Sequence, residues 1–345
     1  MTRANDRADR AFALSLVLFA CSISCSGFIR DPSARGFDGA SGVRTGAGTS
    51  TSTSTSTSTG KGPRIVVVQS SDNSLYRLPV KLFIAQAPGD VHTVTMRDGQ
   101  PPKETLRQID ALAPALVVTL GAKALSLAEK YISDTPVLFA MVLNHRRFDL
   151  SHRPNFMGIE LETPTMTEFT QFKMVAPAMQ RVLVVYGDPN TEVLLEAAKK
   201  DLSTLGIEVQ TSRAESVQDV ARAYAESTPG FDSVWIPNDA IAMAPNAFRV
   251  LADAALQDHL PLMCSLSETF AREGALMSVS VDFRNLGSQA ALMATRLIVQ
   301  HEKVSDIGVQ SPLGGRLVVN FATASNIDLT IDDEIVPFIN EIVGK

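Results

Sequence analysis

The chain has 345 residues, of which 45% are hydrophobic and 20% charged, and it carries a formal net charge of −6 at pH 7. This is a globular composition, with material for one large domain or two of average size, and the acidic balance excludes the basic footprint of a nucleic-acid-binding surface. Three cysteines and five histidines occur with no CxxC or HExxH spacing, which argues against a metal centre, and no cofactor is expected.

The first residues do not read as part of a fold. Arg3, Arg7 and Arg10 outnumber Asp6 and Asp9, and the apolar run AFALSLVLFA follows from Ala11 to Ala20. A span of the bilayer needs about 20 apolar residues, so this run has the length of a signal-peptide core instead. It ends in Leu18-Phe19-Ala20-Cys21, which resembles a bacterial lipobox, although Phe19 is bulkier than usual at its position. That resemblance implies cleavage before Cys21 and a diacylglycerol on its thiol. Cys25 is a second candidate, and a conventional signal peptide with two incidental cysteines is the alternative. Residues 21–62 include a Gly/Ser/Thr-rich tract that culminates in TSTSTSTSTSTG at Thr49–Gly60. Such a segment cannot bury enough apolar area to offset its chain entropy, so it is expected to be a disordered tether. Signal (1–20), anchor and tether together predict an exported chain held on a membrane through lipid. Cys264, in the run LPLMC, has no partner in the mature domain and reads as a core residue.

From Pro63 onward, short apolar runs alternate with amphipathic stretches. In chain order the strand-like runs are Ile65–Val68, Val91–Thr95, Ala115–Thr119, Pro136–Met141, Val182–Tyr186, Ile207–Thr211, Ser233–Ile236, Leu260–Cys264, Leu276–Val281 and Arg316–Asn320. Runs apolar at consecutive positions suit parallel strands covered on both faces. Helical patterns fall between them, at Lys103–Leu112, Ala122–Tyr131, Thr191–Leu205, Val217–Glu226, Asn246–Gln257 and Leu286–His301. In Thr191–Leu205, Leu194, Leu195, Ala198, Leu202 and Leu205 share one face; Asn190 or Thr191 can cap its start and Gly206 its end. Alternating strands and helices predict a doubly wound α/β fold.

The series pauses at Asn144–Pro164, rich in polar and turn residues, and restarts at Arg181. This predicts two Rossmann-like lobes joined by a hinge, with a cleft between the carboxyl ends of two strand sets. The expected divisions are a first lobe at 63–178, a second at 179–275, and hinge re-crossings with completing elements at 276–345.

Several ordered stretches resemble the ABC transporter substrate-binding proteins of the tryptophan/tyrosine-binding type. They are Arg181-Val-Leu-Val-Val-Tyr-Gly-Asp-Pro-Asn190, Ser233-Val-Trp-Ile-Pro-Asn-Asp239 and Leu260-Pro-Leu-Met-Cys-Ser265. Glu273-Gly-Ala-Leu276, Val281-Asp282, Leu286-Gly287, Val309-Gln-Ser-Pro312, Leu317-Val-Val-Asn320 and Asn326-Ile327 continue the order. The resemblance spans residues 64–330. It implies a periplasmic-binding-protein type I fold with three hinge crossings, a small-molecule ligand, and an ABC permease with its ATPase as partners. One stretch departs from the family: Val68 to Val91 is short and is interrupted by Pro79 and Pro88-Gly89, so the first-lobe wall of the cleft is expected to be remodelled.

Ligands of open α/β sheets sit beyond the carboxyl ends of strands, where helix N-termini offer unpaired N–H groups. The candidate binding residues are therefore those that follow each strand: Gln69, Ser70, Ser71, Thr119, Gly121, Ala122, Asn144, Glu162, Asp188, Asn190, Asn238, Asp239 and Ser265. An amino-acid ligand needs donors for its carboxylate, assigned to the Thr119–Ala122 turn, and an anion for its ammonium, assigned to Asp239. Asp239 can equally cap the next helix with no ligand at all. Glu160 and Glu162 can be ligand contacts or solvated crossover residues. Tyr76, Phe139 and Trp235 are aromatic candidates for a side-chain pocket, though Trp235 lies within a strand and suits the core.

The leading expectation is capture of a small solute, with an amino acid or aromatic amino acid as the ligand class, for an importer. The alternative keeps the fold but signals to a membrane receptor, an option the short first-lobe stretch favours. An enzyme is not expected, since no G-x-S-x-G elbow is present.

Overall fold

A computed structural model describes residues 62–227 and 230–344. The signal run, Cys21, Cys25 and all but the last residue of the expected tether lie outside the described residues.

The first part of the chain runs β1 (Arg64–Gln69), a 3-10 turn at Ser74–Tyr76, α1 (Arg77–Gln86), β2 (Asp90–Thr95), α2 (Pro102–Leu112), β3 (Leu116–Leu120), α3 (Ala122–Tyr131), β4 (Val137–Ala140) and β5 (Phe156–Ile159). The next part runs α4 (Thr165–Val175), β6 (Arg181–Tyr186), α5 (Pro189–Ser203), β7 (Glu208–Arg213), α6 (Val220–Ala225), β8 (Ser233–Ile236), α7 (Pro245–Gln257), β9 (Leu262–Ser265), α8 (Thr269–Arg272) and β10 (Met277–Val281). The chain closes with α9 (Phe283–Ile298), α10 (Val304–Ile307), β11 (Val309–Gln310), β12 (Gly315–Asn320), α11 (Phe321–Asn326) and β13 (Glu341–Val343).

These strands form two sheets, ordered β11-β5-β4-β3-β1-β2 and β13-β12-β10-β9-β8-β6-β7. The first is wholly parallel. The second is parallel except where β12 runs against β10. The fold is thus α/β and doubly wound in two halves, as the alternation of runs predicts.

Continuous apolar runs fit because both faces of the first sheet are covered. Val66, Val68, Val117 and Phe139 pack with Ile109 of α2 and Leu125 of α3. On the other face, Ile65, Val67, Val118 and Leu138 pack with Val80 and Phe83 of α1 and with Leu286, Ala290 and Ala294 of α9. In the second sheet, Val182, Val184, Trp235, Met263 and Met277 pack with Phe169 and Phe172 of α4 and with Leu195 and Leu202 of α5. Helix α4 therefore belongs to the core of the second sheet, although it precedes the 178/179 boundary expected from sequence. Cys264 is buried on β9.

Two stretches read as irregular are ordered elements. Pro79 does not break the segment after β1, because it lies in the first turn of α1, where a missing N–H costs nothing. The Asn144–Pro164 pause contains β5.

Helices α1 and α9 approach closely through Gly287. A Cβ built there would collide with the Pro79 carbonyl oxygen and lie 3.0 Å from Leu82 Cβ. Backbone cannot retreat as a flexible side chain can. Gly287→Ala is therefore expected to lower stability by about 1–3 kcal/mol, read as a fall in the urea midpoint at an unchanged denaturant slope.

The chain passes between the sheets three times: from β5 to α4 through residues 160–164, from β10 to α9 at Asp282, and from β11 to β12 through residues 311–314. All three departures are from the carboxyl ends of strands. β12 also begins opposite the carboxyl end of β10, with Gly315 paired to Val281. The carboxyl ends of both sheets therefore adjoin at the crossings. Gln289 of α9, only 2% exposed, holds the third crossing from the first-sheet side: its Nε2 donates to Ser311 O (2.9 Å) and its Oε1 accepts from Leu313 N (2.8 Å).

Candidate functional site

Each sheet reverses its strand order at one place, and there the carboxyl ends leave a crevice suited to a ligand. In the first sheet the place lies between β1 and β3. Ser70 N donates to Leu120 O, and Ser70 Oγ accepts from Ala124 N (2.9 Å), which caps α3 from a neighbouring loop. The Tyr76 hydroxyl bonds to Ser70, and burial pushes its pKa up. Gly121 has φ +85°, and a Cβ there would meet Tyr76 Oη and lie 2.8 Å from Ser70 Oγ. Glycine is required here for both conformation and approach. The turn expected to cradle a carboxylate at Gly121-Ala122 is thus roofed by two hydroxyls. Gln69 and Ser71 are half-buried beside it.

Thr119 does not join them. By strand alternation it shares the Val117 face, under α2 and α3, and it is fully buried with no partner for Oγ1 among the described residues. It is a core residue rather than a crevice residue.

In the second sheet the corresponding place lies between β6 and β8, and Asp239 fills it. Asp239 is 0% exposed. Its Oδ2 accepts from Gly187 N (3.1 Å), Asp188 N (2.9 Å) and Thr191 Oγ1 (2.8 Å), while Oδ1 accepts from Ile241 N (2.9 Å) and Ala242 N (2.8 Å). Five donors leave no capacity for an ammonium, so the assignment of Asp239 as the ammonium partner is corrected. The carboxylate is an internal anion that ties the β6–α5 turn to the loop after β8. Asp188 caps α5, its Oδ1 accepting from Asn190 N and Nδ2 (2.9 Å each); it is half-buried, and Asn190 is exposed. Asn238 is half-buried next to Asp239.

The remaining candidates meet at the first crossing. Asn144, in a left-handed conformation after β4, donates its N–H to Glu162 Oε1. Burial raises the Glu162 pKa against that bond. Glu160 turns outward to Arg146 (3.2 Å) and Ser311 Oγ (3.3 Å). Ser265, at the carboxyl end of β9, accepts from Trp235 Nε1 (2.9 Å) and donates to Glu168 Oε2 (2.8 Å). Glu168, in the first turn of α4, is 4% exposed, and burial, with a further push from Glu162, raises its pKa to about 8. Sequence reasoning missed it, because a glutamate in a first helical turn ordinarily reads as a solvated partner of the helix dipole. Of the aromatic candidates, Phe139 is buried and stacks on His145 at 5.2 Å, and Trp235 is a core residue in edge contact with Phe169.

Two further residues mark this level. Met141 after β4 (φ +58°) and Leu266 after β9 (φ +75°) adopt positive φ without being glycine, and Leu266 packs against the core of the first sheet from the second. Strained backbone of this kind concentrates at ligand and switch regions. Among the described residues, no group of His, Cys, Asp and Glu side chains is placed to hold a metal ion.

Residues 98–342 match the family described as ABC transporter substrate binding protein. The chain belongs to that family. The fold of this substrate-binding protein is shared with solved structures at low identity. A ligand-free, open substrate-binding protein with adhesive properties from Clostridium difficile is 17% identical, with a TM-score of 0.70 over 82% of this chain and 100% of the other. A conserved domain protein from Vibrio cholerae is 18% identical, with a TM-score of 0.56 over 82% and 100%. An ABC domain from Streptococcus pneumonia, in complex with L-Trp, is 20% identical, with a TM-score of 0.54 over 81% and 100%. No curated protein matches the sequence significantly. No described helix of this substrate-binding protein is long and apolar enough to cross a membrane.

Proposed function

We propose that this chain is the exported, lipid-anchored solute receptor of an ABC-type importer, and that it captures an amino acid in the crevice between the carboxyl ends of its two sheets. The observation that carries the reading is the family match over residues 98–342, joined to a topology in which three crossings bring those ends together. Short crossings between two rigid halves form a hinge, and a ligand touching both halves stabilises the closed population. The lipobox-like Leu18-Phe19-Ala20-Cys21 and the Ser/Thr tract support anchoring through Cys21 beside the permease. The L-Trp complex of a similar fold supports an amino acid as the first class to test.

The sensing alternative rested on a remodelled first-lobe wall. A ten-residue helix, α1, occupies that stretch and packs on α9, and the match to ABC transporter substrate-binding proteins favours capture over sensing.

Thermal-shift measurements on the purified chain against amino acids, sugars and purines test the reading. Binding to the folded state alone stabilises by mass action, about 2.7 kcal/mol at a hundredfold excess over Kd. A rise in melting temperature with an amino acid is expected. A flat response across all classes would sink the capture role.

A further inference from the structure

Glu168 is a buried carboxyl with no cation. Among the described residues its single hydrogen bond is the one from Ser265 Oγ to Oε2, so Oε1 accepts nothing. One turn along the same face of α4, Gln171 lays its amide against Gly315, at the end of the third crossing. Gln171 Oε1 is also buried without a partner. A buried carboxyl with one hydrogen-bonded oxygen and a buried acceptor without a donor therefore sit one turn apart on one helix.

The surroundings add negative charge rather than relieving it. Burial chiefly raises the pKa of Glu168, with a smaller push from Glu162 on the first crossing, and burial likewise raises that of the Cys264 thiol on β9, with a smaller push from Glu168. Beyond Glu162, the charge of Glu160 is met by Arg146, with His145, whose pKa burial lowers, beside them. β8 contributes only the neutral Trp235. No described Lys or Arg forms an ion pair with Glu162 or Glu168. A buried acceptor without a donor, such as Gln171 Oε1, costs free energy unless a partner arrives, and a buried carboxyl without a cation favours a positive partner when it ionises.

We propose that Glu168, with Gln171 beside it, receives the cationic group of the captured solute, an ammonium or guanidinium, and that capture expels a proton from Glu168 to solvent. This deepens the proposed function and rests on it. The N–H donors of the solute meet Glu168 Oε1 and Gln171 Oε1, while Ser265 and Trp235 hold the other carboxyl oxygen.

The test has a built-in reporter. Trp235 is the sole tryptophan of the chain and is wired through Ser265 to Glu168. The full chain is titrated by calorimetry and by Trp235 fluorescence with L-phenylalanine, L-leucine, L-arginine, phenethylamine and agmatine. The deaminated acids 3-phenylpropionate and 4-methylpentanoate serve as counterparts. A cationic probe should bind, release about one proton (seen as dependence of the heat on buffer ionisation), and gain about tenfold in affinity per pH unit between 6 and 8. Its binding should shift Trp235 emission. Glu168→Gln should lose a hundredfold or more in affinity together with the pH dependence, and Gln171→Leu should weaken binding while keeping the proton release. Binding of the deaminated acids as tightly as the amines, or capture of a cationic probe that is unchanged in Glu168→Gln and releases no proton, would overturn the proposal and leave solute capture intact. If solutes of other classes stabilise the protein and no cationic probe does, the proposal again fails alone. If no solute of any class binds, the capture reading fails and takes the proposal with it.

Discussion

Glu168→Gln is expected to raise the melting temperature of the unliganded protein at pH 8 and to leave it unchanged at pH 4. The folded chain holds the Glu168 pKa near 8, above its ordinary value of 4.5, because burial disfavours the charged form. Between those values the native state keeps a proton that the unfolded chain has released. Stability from this group is therefore fully present below pH 4.5 and is lost progressively as pH rises through 8. Glutamine resembles the neutral acid in shape, and it removes the penalty. The gain at pH 8 is on the order of 4 kcal/mol, roughly 6 °C in melting temperature for a chain of this size. Differential scanning calorimetry of both proteins at pH 4, 6 and 8 checks it. A variant less stable than the parent at pH 8 would mean that the carboxylate is held by a partner the geometry does not show. The predicted combination, a stabler protein that has lost a cationic solute, is the trade-off of a group placed for binding rather than for folding.

Asp239→Ala should act in the opposite direction. It leaves five donors around a fully buried position: Gly187 N, Asp188 N, Thr191 Oγ1, Ile241 N and Ala242 N. Each hydrogen bond to a charged acceptor contributes about 1.5–3 kcal/mol, but the donors share one carboxylate and partly relax. A loss of about 3–5 kcal/mol is expected, read as a lower urea midpoint with an unchanged slope. Asp239→Asn keeps one acceptor oxygen and turns an N–H toward donors, so it should lie between the parent and the alanine variant. A neutral Asp239→Ala would show that solvent reaches these donors and would reopen the position to a ligand.

The two aspartates and glutamates singled out at strand ends show where sequence reading stops. Ser233–Ile236 and Ala122–Tyr131 appear in the structure with the bounds expected of them. Both signals are local: a β-branched apolar run in one, and a 3.6-residue apolar period after a glycine in the other. Helix α4 escaped notice because Glu168 is buried among Phe169, Phe172 and Val175, which spoils the polar-outside pattern. Helix α1 escaped because Pro79 reads as a breaker when its place in the helix is unknown. Asn144 and Glu162 belong together through a bond between loops that no spacing rule connects.

The chain sequence by itself determined the alternation of strands and helices, the two sheets that follow from it, and the family. Each of these is written in periodicity and in ordered local stretches, where neighbours in the chain set the energy. Tertiary structure alone decided which acids are spent and which are free. Asp239 and Glu168 both sit near strand ends. The first is surrounded by backbone N–H groups from two loops, and the second by an indole-bonded serine and another carboxyl. Whether a buried charge is satisfied depends on donors brought from as far as 48 to 97 residues away as well as on local ones, and that information exists only once the sheets have formed.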